Sequence, residues 1–312
     1  MEEDDKMVNI KDILNIFPQN IKYIVESIKN YENLQEIRVK VNKPLIIYIG
    51  KDEIIHPYVV TVDDMKNFVQ RMSSYSIYAF GEEIKQGYIT IKGGHRVGIC
   101  GSCILENSKI KTIKDIASLN IRVGKEVIGC SNNIVPFLIL NNCIINTIII
   151  SPPKCGKTTI LRDLAKNLSN GITEVGCVGK KICVIDERSE IAACYNGVPQ
   201  MQVGTRTDVL DNCPKCEGIM MAIRSMSPDI IICDEIGTKR DMESILMAMN
   251  SGVTLITSIH GLGIDDLYNR SVFNELIENK VFQRAVVLSG INGAGTIEYI
   301  YDFKTEEKIW RK

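Results

Sequence analysis

The fold is decided by residues 146–159, which have the sequence NTIIISPPKCGKTT. The apolar, β-branched run in this stretch is typical of a buried strand. The residues that follow, 160–168, carry apolar side chains at helical spacing. A strand, a glycine-containing loop and a helix in this order predict a phosphate-binding loop, in which backbone N–H groups and a helix N-terminus face phosphate oxygens.

The loop residues are expected to bind the phosphates of ATP. Lys157 supplies a positive charge to the β- and γ-phosphates, and the hydroxyl of Thr158 can hold Mg²⁺. The motif G-x-x-x-x-G-K-[ST] begins here with Ser151 instead of glycine, and an ordinary glycine turn is the alternative interpretation. The predicted nucleotide-binding residues are Ser151, Pro152, Pro153, Lys154, Cys155, Gly156, Lys157, Thr158 and Thr159.

Composition and charge indicate a soluble globular protein. The 312 residues, 45% hydrophobic and 24% charged, are enough for two domains that each have a core. The net charge of −1, without a basic stripe, argues against a nucleic-acid-binding surface. The most apolar stretch, residues 134–150, is interrupted by Pro136 and by asparagines, and a membrane span needs about 18 uninterrupted apolar residues. The acidic residues 2–5 do not resemble a signal peptide.

The cysteines predict a cytoplasmic protein with reduced thiols. There are 11 of them, an odd number, and several lie in apparent strands. Two pairs, Cys100/Cys103 and Cys213/Cys216, have C-x-x-C spacing. A zinc site formed by these pairs is the alternative, and the sequence does not decide whether they have a metal or redox role.

The pattern of apolar residues divides the chain into two predicted domains. Residues 1–130 form a mixed α/β domain, with strands at 36–41 and 45–49, a helix at 62–72 and a glycine-turned hairpin at 87–100. Residues 131–312 alternate strands with helices, which is typical of a mostly parallel sheet. The predicted fold class is therefore α/β, with a RecA-like phosphate-loop ATPase domain after a smaller mixed α/β domain.

Polar residues follow each of the predicted strands of the second domain. In an open α/β sheet, ligands bind outside the carboxyl ends of the strands, so these polar residues are expected to meet at one site. This convergence favours the nucleotide site over a chance turn. The polar segments are residues 151–159, 186–188, 234–235 and 257–260.

Two acidic pairs end neighbouring strands. Asp234 and Glu235 follow the apolar run 230–233, as in a Walker B strand, where one carboxylate supports Mg²⁺ and the other orients or deprotonates water. Asp186 and Glu187 form the second pair. The predicted metal ligands are Thr158, Asp234 and Asp186, and either Glu187 or Glu235 is expected to activate water.

Three further side chains are candidates for catalysis. His260 ends a predicted strand and is a candidate for sensing phosphate, with a purely structural role as the alternative. Arg188 and Arg206 lie in the long connection of residues 186–212 and can neutralise charge on a transferred phosphoryl group, within the chain or from a neighbouring subunit. By contrast, Thr238 and Asp241 are interpreted only as a capping box that begins the next helix.

The chain resembles the stage III sporulation protein AA family, of the type II/IV secretion traffic ATPase group. The resemblance spans nearly the whole chain. It rests on residues 75–80, 87–90, 93–98, 118–122, 186–191 and 225–229.

The resemblance implies a hexameric ATPase, peripheral at the cytoplasmic face of a membrane on the mother-cell side. It implies partnership with membrane-embedded sporulation channel proteins and a role in powering or assembling the mother cell–forespore channel. It also implies that Asp186 and Glu187 form an Asp box, that residues 258–261 form a His box, and that Arg122 reaches the γ-phosphate. The group usually has Gly-Glu at Walker B, whereas this chain has Asp234-Glu235, which leaves the roles of the two acidic pairs open.

Two other functions are compatible with the sequence. An assembly scaffold regulated by ATP, with little turnover, would fit the Ser151 departure, and ATPase rates of hexamer and monomer fractions would separate it from an enzyme. A RecA-like nucleic-acid translocase shares these motifs, and stimulation of turnover by DNA would support it. The near-neutral charge disfavours the translocase.

Overall fold

The computed structural model describes residues 10–72 and 81–311. Contacts between residues divide the chain into a first unit, Met1–Glu126 with Ala193–Gln200, and a second unit, Val127–Ala192 with Met201–Lys312. The predicted boundary at 130/131 thus lies close to the division after Glu126, but residues 193–200 join the first unit. The stretch 75–80, on which part of the family resemblance rests, lies outside the described residues.

The first unit is built on an antiparallel sheet in the order β3-β2-β1-β6-β5-β4. In the strand that begins at Leu34, Ile37 and Val39 are buried while Arg38 and Lys40 are exposed, so the alternation seen in the sequence places one face on the core. The strands are β1 (Leu34–Lys40), β2 (Pro44–Ile49), β3 (Asp52–Val59), β4 (Tyr88–Ile91), β5 (His95–Glu106) and β6 (Lys109–Arg122).

Helices cover the apolar face of this sheet. The helix Val62–Met72 matches the predicted one and buries Met65, Phe68 and Met72. The ring of Phe68 meets that of Phe17 edge to face, with centroids 5.4 Å apart. The helices of this unit are α1 (Ile10–Asn15), α2 (Gln19–Glu26), α3 (Val62–Met72) and α4 (Gly81–Gln86).

The β5–β6 hairpin is much longer than the sequence pattern indicated. Its distal part, residues 102–111, is exposed on both faces, so it lacks the apolar alternation by which strands are recognised. Cys100 pairs with Ser118, and Cys103 with Ile113. The hairpin register shifts between Cys100 and Ser102, and among the described residues neither cysteine belongs to a group of three or more metal-ligating side chains.

The second unit contains an eight-stranded sheet in the order β11-β10-β12-β13-β9-β14-β15-β16. In this order, each strand from β11 through β14 pairs with its neighbour in parallel. At the other edge, β14 pairs with β15 and β15 with β16 in antiparallel fashion. The mostly parallel sheet predicted from the sequence is confirmed. The strands are β9 (Thr147–Ser151), β10 (Ile182–Asp186), β11 (Thr207–Asp211), β12 (Ile230–Cys233), β13 (Thr254–His260), β14 (Arg284–Ser289), β15 (Thr296–Asp302) and β16 (Glu307–Arg311). A small hairpin, β7 (Ile139–Leu140) and β8 (Cys143–Ile144), precedes them.

Helices pack on this sheet through faces that the sequence pattern predicted. Ile160, Leu161, Leu164 and Leu168 are buried on the first of them. The predicted capping box of Thr238 and Asp241 is present. The helices are α5 (Lys157–Asn170), α6 (Lys215–Ser225), α7 (Lys239–Asn250), α8 (Ile264–Tyr268) and α9 (Asn274–Glu278). Within the described residues, no helix is both long and apolar enough to span a bilayer.

Residues 193–200 form a short arm that belongs to the first unit. At its base, Met201 N–H donates to Ala192 O at 3.1 Å. Tyr195 and Val198 exchange two backbone hydrogen bonds around Asn196-Gly197, whose positive φ angles of 50° and 75° are those of a type I′ turn. The side chain of Tyr195 packs against the core of the first unit. The arm therefore completes a core that is otherwise built from residues before 127.

Candidate active site

The predicted phosphate loop joins the end of β9 to the start of α5. Lys154 and Gly156 adopt positive φ angles of 61° and 87°. A Cβ atom on Gly156 would lie 2.9 Å from the backbone nitrogen of Gly295, so this position needs glycine for both its conformation and its space. The Gly295 N–H also donates to Cys155 O at 2.9 Å, which ties the loop to the β14–β15 turn.

Ser151 does not need to be glycine in this fold. It is the last residue of β9 and pairs in register with His260 of β13. Its backbone is therefore extended, a conformation that any residue adopts. The departure from the motif is at a position where glycine has no conformational advantage.

Lys157 is the first residue of α5, and only 5% of its side chain is exposed. The first N–H groups of a helix have no partner within it, so the start of α5 can accept an anion. Burial lowers the pKa of Lys157, while the carboxylates of Asp234 and Glu235 oppose this effect. The side chain is thus a buried amine with two acidic neighbours.

Asp234 connects the phosphate loop to β13. Thr158 Oγ1 donates to Asp234 Oδ2 at 2.5 Å, and Ser258 Oγ donates to Asp234 Oδ1. The Ser258 oxygen in turn accepts the N–H of Glu235 at 3.1 Å. One serine therefore binds the carboxylate of Asp234 and the backbone of Glu235.

The carboxylate of Glu235 lies among positively charged and imidazole groups. Its Oε1 is 2.7 Å from His260 Nε2 and 3.6 Å from Lys157 Nζ, and its Oε2 is 3.1 Å from Arg188 Nη1. Glu235 has φ of 51°, a left-handed conformation that costs free energy in a non-glycine residue and is concentrated at functional sites.

His260 lies between the lysine and the glutamate. Lys157 Nζ is 2.6 Å from His260 Nδ1, while His260 Nε2 faces Glu235. A neutral ring protonated on Nε2 satisfies both contacts, because Nδ1 then accepts from the ammonium and Nε2 donates to the carboxylate. The predicted convergence of Lys157 and Glu235 with this histidine is thus observed.

Neighbouring strands bring these residues together. β13 lies between β12 and β9 in the parallel sheet, and Cys233, the residue before Asp234, pairs with Thr257. The carboxyl ends of β9, β12 and β13 thus deliver a lysine, two acids and a histidine to one edge of the sheet. β13 itself ends at His260, as the sequence predicted.

The Asp186 and Glu187 pair occupies a different environment. Asp186 is 2% exposed, and its two carboxylate oxygens accept backbone N–H groups of residues 190–192 at 2.8–2.9 Å. Burial raises the pKa of Asp186 to about 6, although those N–H bonds favour the charged form. Both oxygens are bound to the backbone, and the role of Asp186 as a metal ligand stays a prediction. Glu187 forms an ion pair with Lys215.

The predicted arginines are not all at this site. Arg206 Nη1 donates to Ser169 O at 2.9 Å, near the opposite end of α5 from Lys157, about 18 Å along the helix. The prediction that Arg206 acts in the phosphate site of its own chain is therefore wrong, and a role in a neighbouring subunit stays a prediction. Arg122 ends β6 in the first unit, and its predicted role also stays a prediction.

Arg162, Ser258 and Lys215 bind the site's residues in ways that the sequence did not reveal. Ser258 was noticed only as a neighbour of His260, yet it bonds Asp234 and Glu235. Arg162 donates to main-chain oxygens after β10, and Lys215 holds Glu187.

The donor set fits magnesium bound together with phosphates. Mg²⁺ prefers oxygen ligands and is usually held by one or two carboxylates together with substrate phosphates. The contact between Thr158 and Asp234 brings a hydroxyl and a carboxylate to the phosphate loop. In the part of the chain that the structure describes, His, Cys, Asp and Glu side chains form no cluster of three or more suited to an all-protein metal site.

Comparison with known proteins identifies the family. A sequence model described as sporulation stage III, protein AA, matches residues 6–308. The chain belongs to the sporulation stage III protein AA family. It is similar to stage III sporulation protein AA of Bacillus subtilis (strain 168), with 42% identity over 295 residues that cover 94% of this chain and 95% of the relative. The resemblance stated from the sequence motifs is confirmed.

The fold of this family member is that of secretion ATPases. The ATPase DotB of Legionella pneumophila superposes with a TM-score of 0.57 at 11% identity, covering 87% of this chain and 77% of that one. The pilus retraction motor PilT, solved with bound ADP, gives a TM-score of 0.57 at 16% identity, covering 88% and 77%. At these identities the likeness concerns the fold alone, and the predicted fold class is confirmed.

Proposed function

We propose that this chain is a magnesium-dependent ATPase. The observation that carries the proposal is the meeting of Lys157, Asp234, Glu235 and His260 at the carboxyl ends of β9, β12 and β13. Buried Lys157 and the N-terminus of α5 provide positive charge for a triphosphate. Membership in the family and the secretion ATPase fold support the same reaction.

In this proposal, water attacks the γ-phosphate in line with the leaving diphosphate. Thr158 and Asp234 would hold Mg²⁺, which when bound neutralises charge on the β- and γ-phosphates. Glu235 orients water and accepts its proton, because its carboxylate is beside Lys157 and His260, whereas Glu187 is paired with Lys215. When phosphates bind, Lys157 exchanges its contacts with Glu235 and His260 for phosphate oxygens.

The experiment that tests this proposal compares Lys157→Ala with Lys166→Ala, a lysine further along the same helix. Removal of the Lys157 charge is expected to lower ATP turnover by about 100-fold or more, since electrostatic stabilisation is the main catalytic term in phosphoryl transfer. Lys166→Ala should keep turnover within about twofold. The measurement is steady-state phosphate release with Mg²⁺ and ATP. Equal rates for the wild type and Lys157→Ala would end the assignment.

The biological setting that we propose follows the family. The chain would act as a homohexamer on the cytoplasmic face of a membrane, on the mother-cell side, with membrane-embedded sporulation channel proteins as partners. ATP hydrolysis would power or assemble the mother cell–forespore channel. Sedimentation of the purified chain with and without a non-hydrolysable ATP analogue tests the hexamer, and a monomer under both conditions would contradict it.

A further inference from the structure

Arg162 joins the phosphate-loop helix to the loop after β10. It lies on α5, whose first residue is Lys157. Its Nε donates to Ile191 O at 2.5 Å, and its Nη2 donates to Glu190 O at 2.6 Å. Charge-assisted hydrogen bonds of this kind are about twice as strong as neutral ones, and a guanidinium can reach two adjacent carbonyls at once.

The Asp186 carboxylate binds the backbone N–H groups of the same segment. Its Oδ1 accepts the N–H of Glu190, and its Oδ2 accepts those of Ile191 and Ala192. The N–H groups of residues 190–192 are thus bound by the end of β10, and the carbonyls of residues 190–191 are bound by α5. We call the two side chains, Arg162 and Asp186, the clamp.

One residue between the clamped points contacts the acidic pair that follows β12. Residues 187–189 join Asp186 to the clamped segment in a turn that the Ser189 N–H closes by donating to Asp186 O at 3.4 Å, with Ser189 at a positive φ of 51°. At its middle, Arg188 Nη1 lies 3.1 Å from Glu235 Oε2. Although 64% of the Arg188 side chain is exposed, its backbone is fixed on both sides.

We propose that Arg162 is a positioning residue for ATP hydrolysis, which acts by holding the 187–189 turn so that Arg188 stays against Glu235. Because α5 begins at the phosphate loop, the same helix carries Lys157 and Arg162. The position of the acid that orients water is then coupled to the element that binds the phosphates. This inference rests on the proposed ATPase function.

The first test separates turnover from binding. Arg162→Ala is expected to lower kcat by about 10- to 100-fold, since misplacement of a catalytic group by about 1 Å has effects of this size, while KM and the dissociation constant of a non-hydrolysable analogue change less than about threefold. Arg162→Lys keeps the charge but lacks the guanidinium that binds two carbonyls at once, so its kcat should lie between those of Arg162→Ala and the wild type. Arg224→Ala, an exposed arginine of α6, is the matched control and should match the wild type. A kcat within about twofold of wild type for Arg162→Ala would overturn the proposal.

The second test asks whether Arg162 and Arg188 act on the same group. If both act through Glu235, the loss in Arg162→Ala/Arg188→Ala should be no larger than the greater single loss. Losses that multiply would show independent roles and overturn the proposal. If Arg162→Ala does not fold, Arg162→Lys takes its place in this cycle.

Amide hydrogen exchange tests the clamp without turnover. In Arg162→Ala, the amides of residues 190–192 should exchange about tenfold faster than in the wild type, while Arg224→Ala leaves them unchanged. Unchanged exchange in Arg162→Ala would overturn the clamp. A wild-type chain that does not hydrolyse ATP but shows this exchange pattern would instead contradict the proposed function and leave the clamp standing.

Discussion

At the scale of single residues, Glu235 and Glu187 differ in the groups that surround their carboxylates. Glu235 lies beside Lys157 and His260, whereas Glu187 pairs with Lys215 and is 41% exposed. A group that activates water must be within reach of the phosphate site. The sequence left open whether Glu187 or Glu235 activates water, and the geometry favours Glu235.

Glu235→Gln is expected to lower kcat by about 100-fold or more, because an amide cannot accept the proton of the attacking water. ATP binding should persist, since Lys157 and the loop backbone remain. Steady-state turnover and the affinity for a fluorescent ATP analogue measure the two effects. Glu187→Gln should cause a smaller loss, and the reverse order would assign water activation to the Asp box.

The free energy of unfolding is expected to depend on pH through Asp186. Burial raises its pKa in the folded state from 3.8 to about 6, so the folded chain binds this proton more tightly than the unfolded chain. Its contribution to the free energy of unfolding is therefore complete below about pH 4 and is lost as the pH rises through 6. Urea unfolding between pH 4 and 7 measures it. Asp186→Asn has no titrating group there and should lack this part of the dependence, and identical profiles would contradict the assignment.

At the scale of elements, α5 holds the start of the second unit as well as the phosphate site. Asp163 is 3% exposed, and its carboxylate accepts the N–H groups of Gly129 and Ser131 and the hydroxyl of Ser131 at 2.7–2.9 Å. The predicted domain boundary at 130/131 therefore lies in a segment that is fixed to a helix through Gly129 and Ser131.

Asp163→Ala is expected to lower the free energy of unfolding by about 2–4 kcal/mol, because it leaves buried N–H groups without their acceptor. The shift of the urea midpoint measures this loss. Glu174→Ala, which removes an exposed acid of the same unit, serves as the control and should change stability by less than about 0.5 kcal/mol. Similar midpoints for the two variants would show that the Asp163 bonds contribute little.

Elements with strong apolar periodicity were predictable, and polar or edge elements were not. β9, β12 and α3 have buried runs or a clear apolar face, so the sequence pattern located them. β11 was missed because it is an edge strand whose residues are only partly buried, which leaves no apolar run. The site's main residues were predictable because they follow apolar strands, whereas the partners of Arg162 are backbone carbonyls, which have no sequence signature.

At the scale of the whole molecule, the first unit depends on residues from the second half of the sequence. Tyr195 packs against the core of that unit and lines a cavity of about 200 Å³ with Met72 and Ile91. Gly93 N–H donates to the side-chain oxygen of Gln200 at 2.9 Å. The arm of residues 193–200 is thus part of the first unit's structure.

Tyr195→Ala is expected to destabilise the first unit by about 2–4 kcal/mol through lost burial. Amide exchange should become faster in α3 and β4, while α5 of the second unit keeps its protection. Val198→Ala is the matched control, because Val198 is in the same arm and 59% exposed. Equal exchange in α3 for the two variants would show that the arm does not support this unit.

The position of the arm also sets an order for folding during synthesis. A ribosome makes Glu126 long before Gln200, at about 5–20 residues per second. In the interval between the synthesis of these two residues, the core of the first unit lacks the side chain of Tyr195, which packs against it in the folded chain. Its final consolidation must wait until β9, α5 and β10 have left the exit tunnel, so the earlier half of the polypeptide is not the first to reach its finished state.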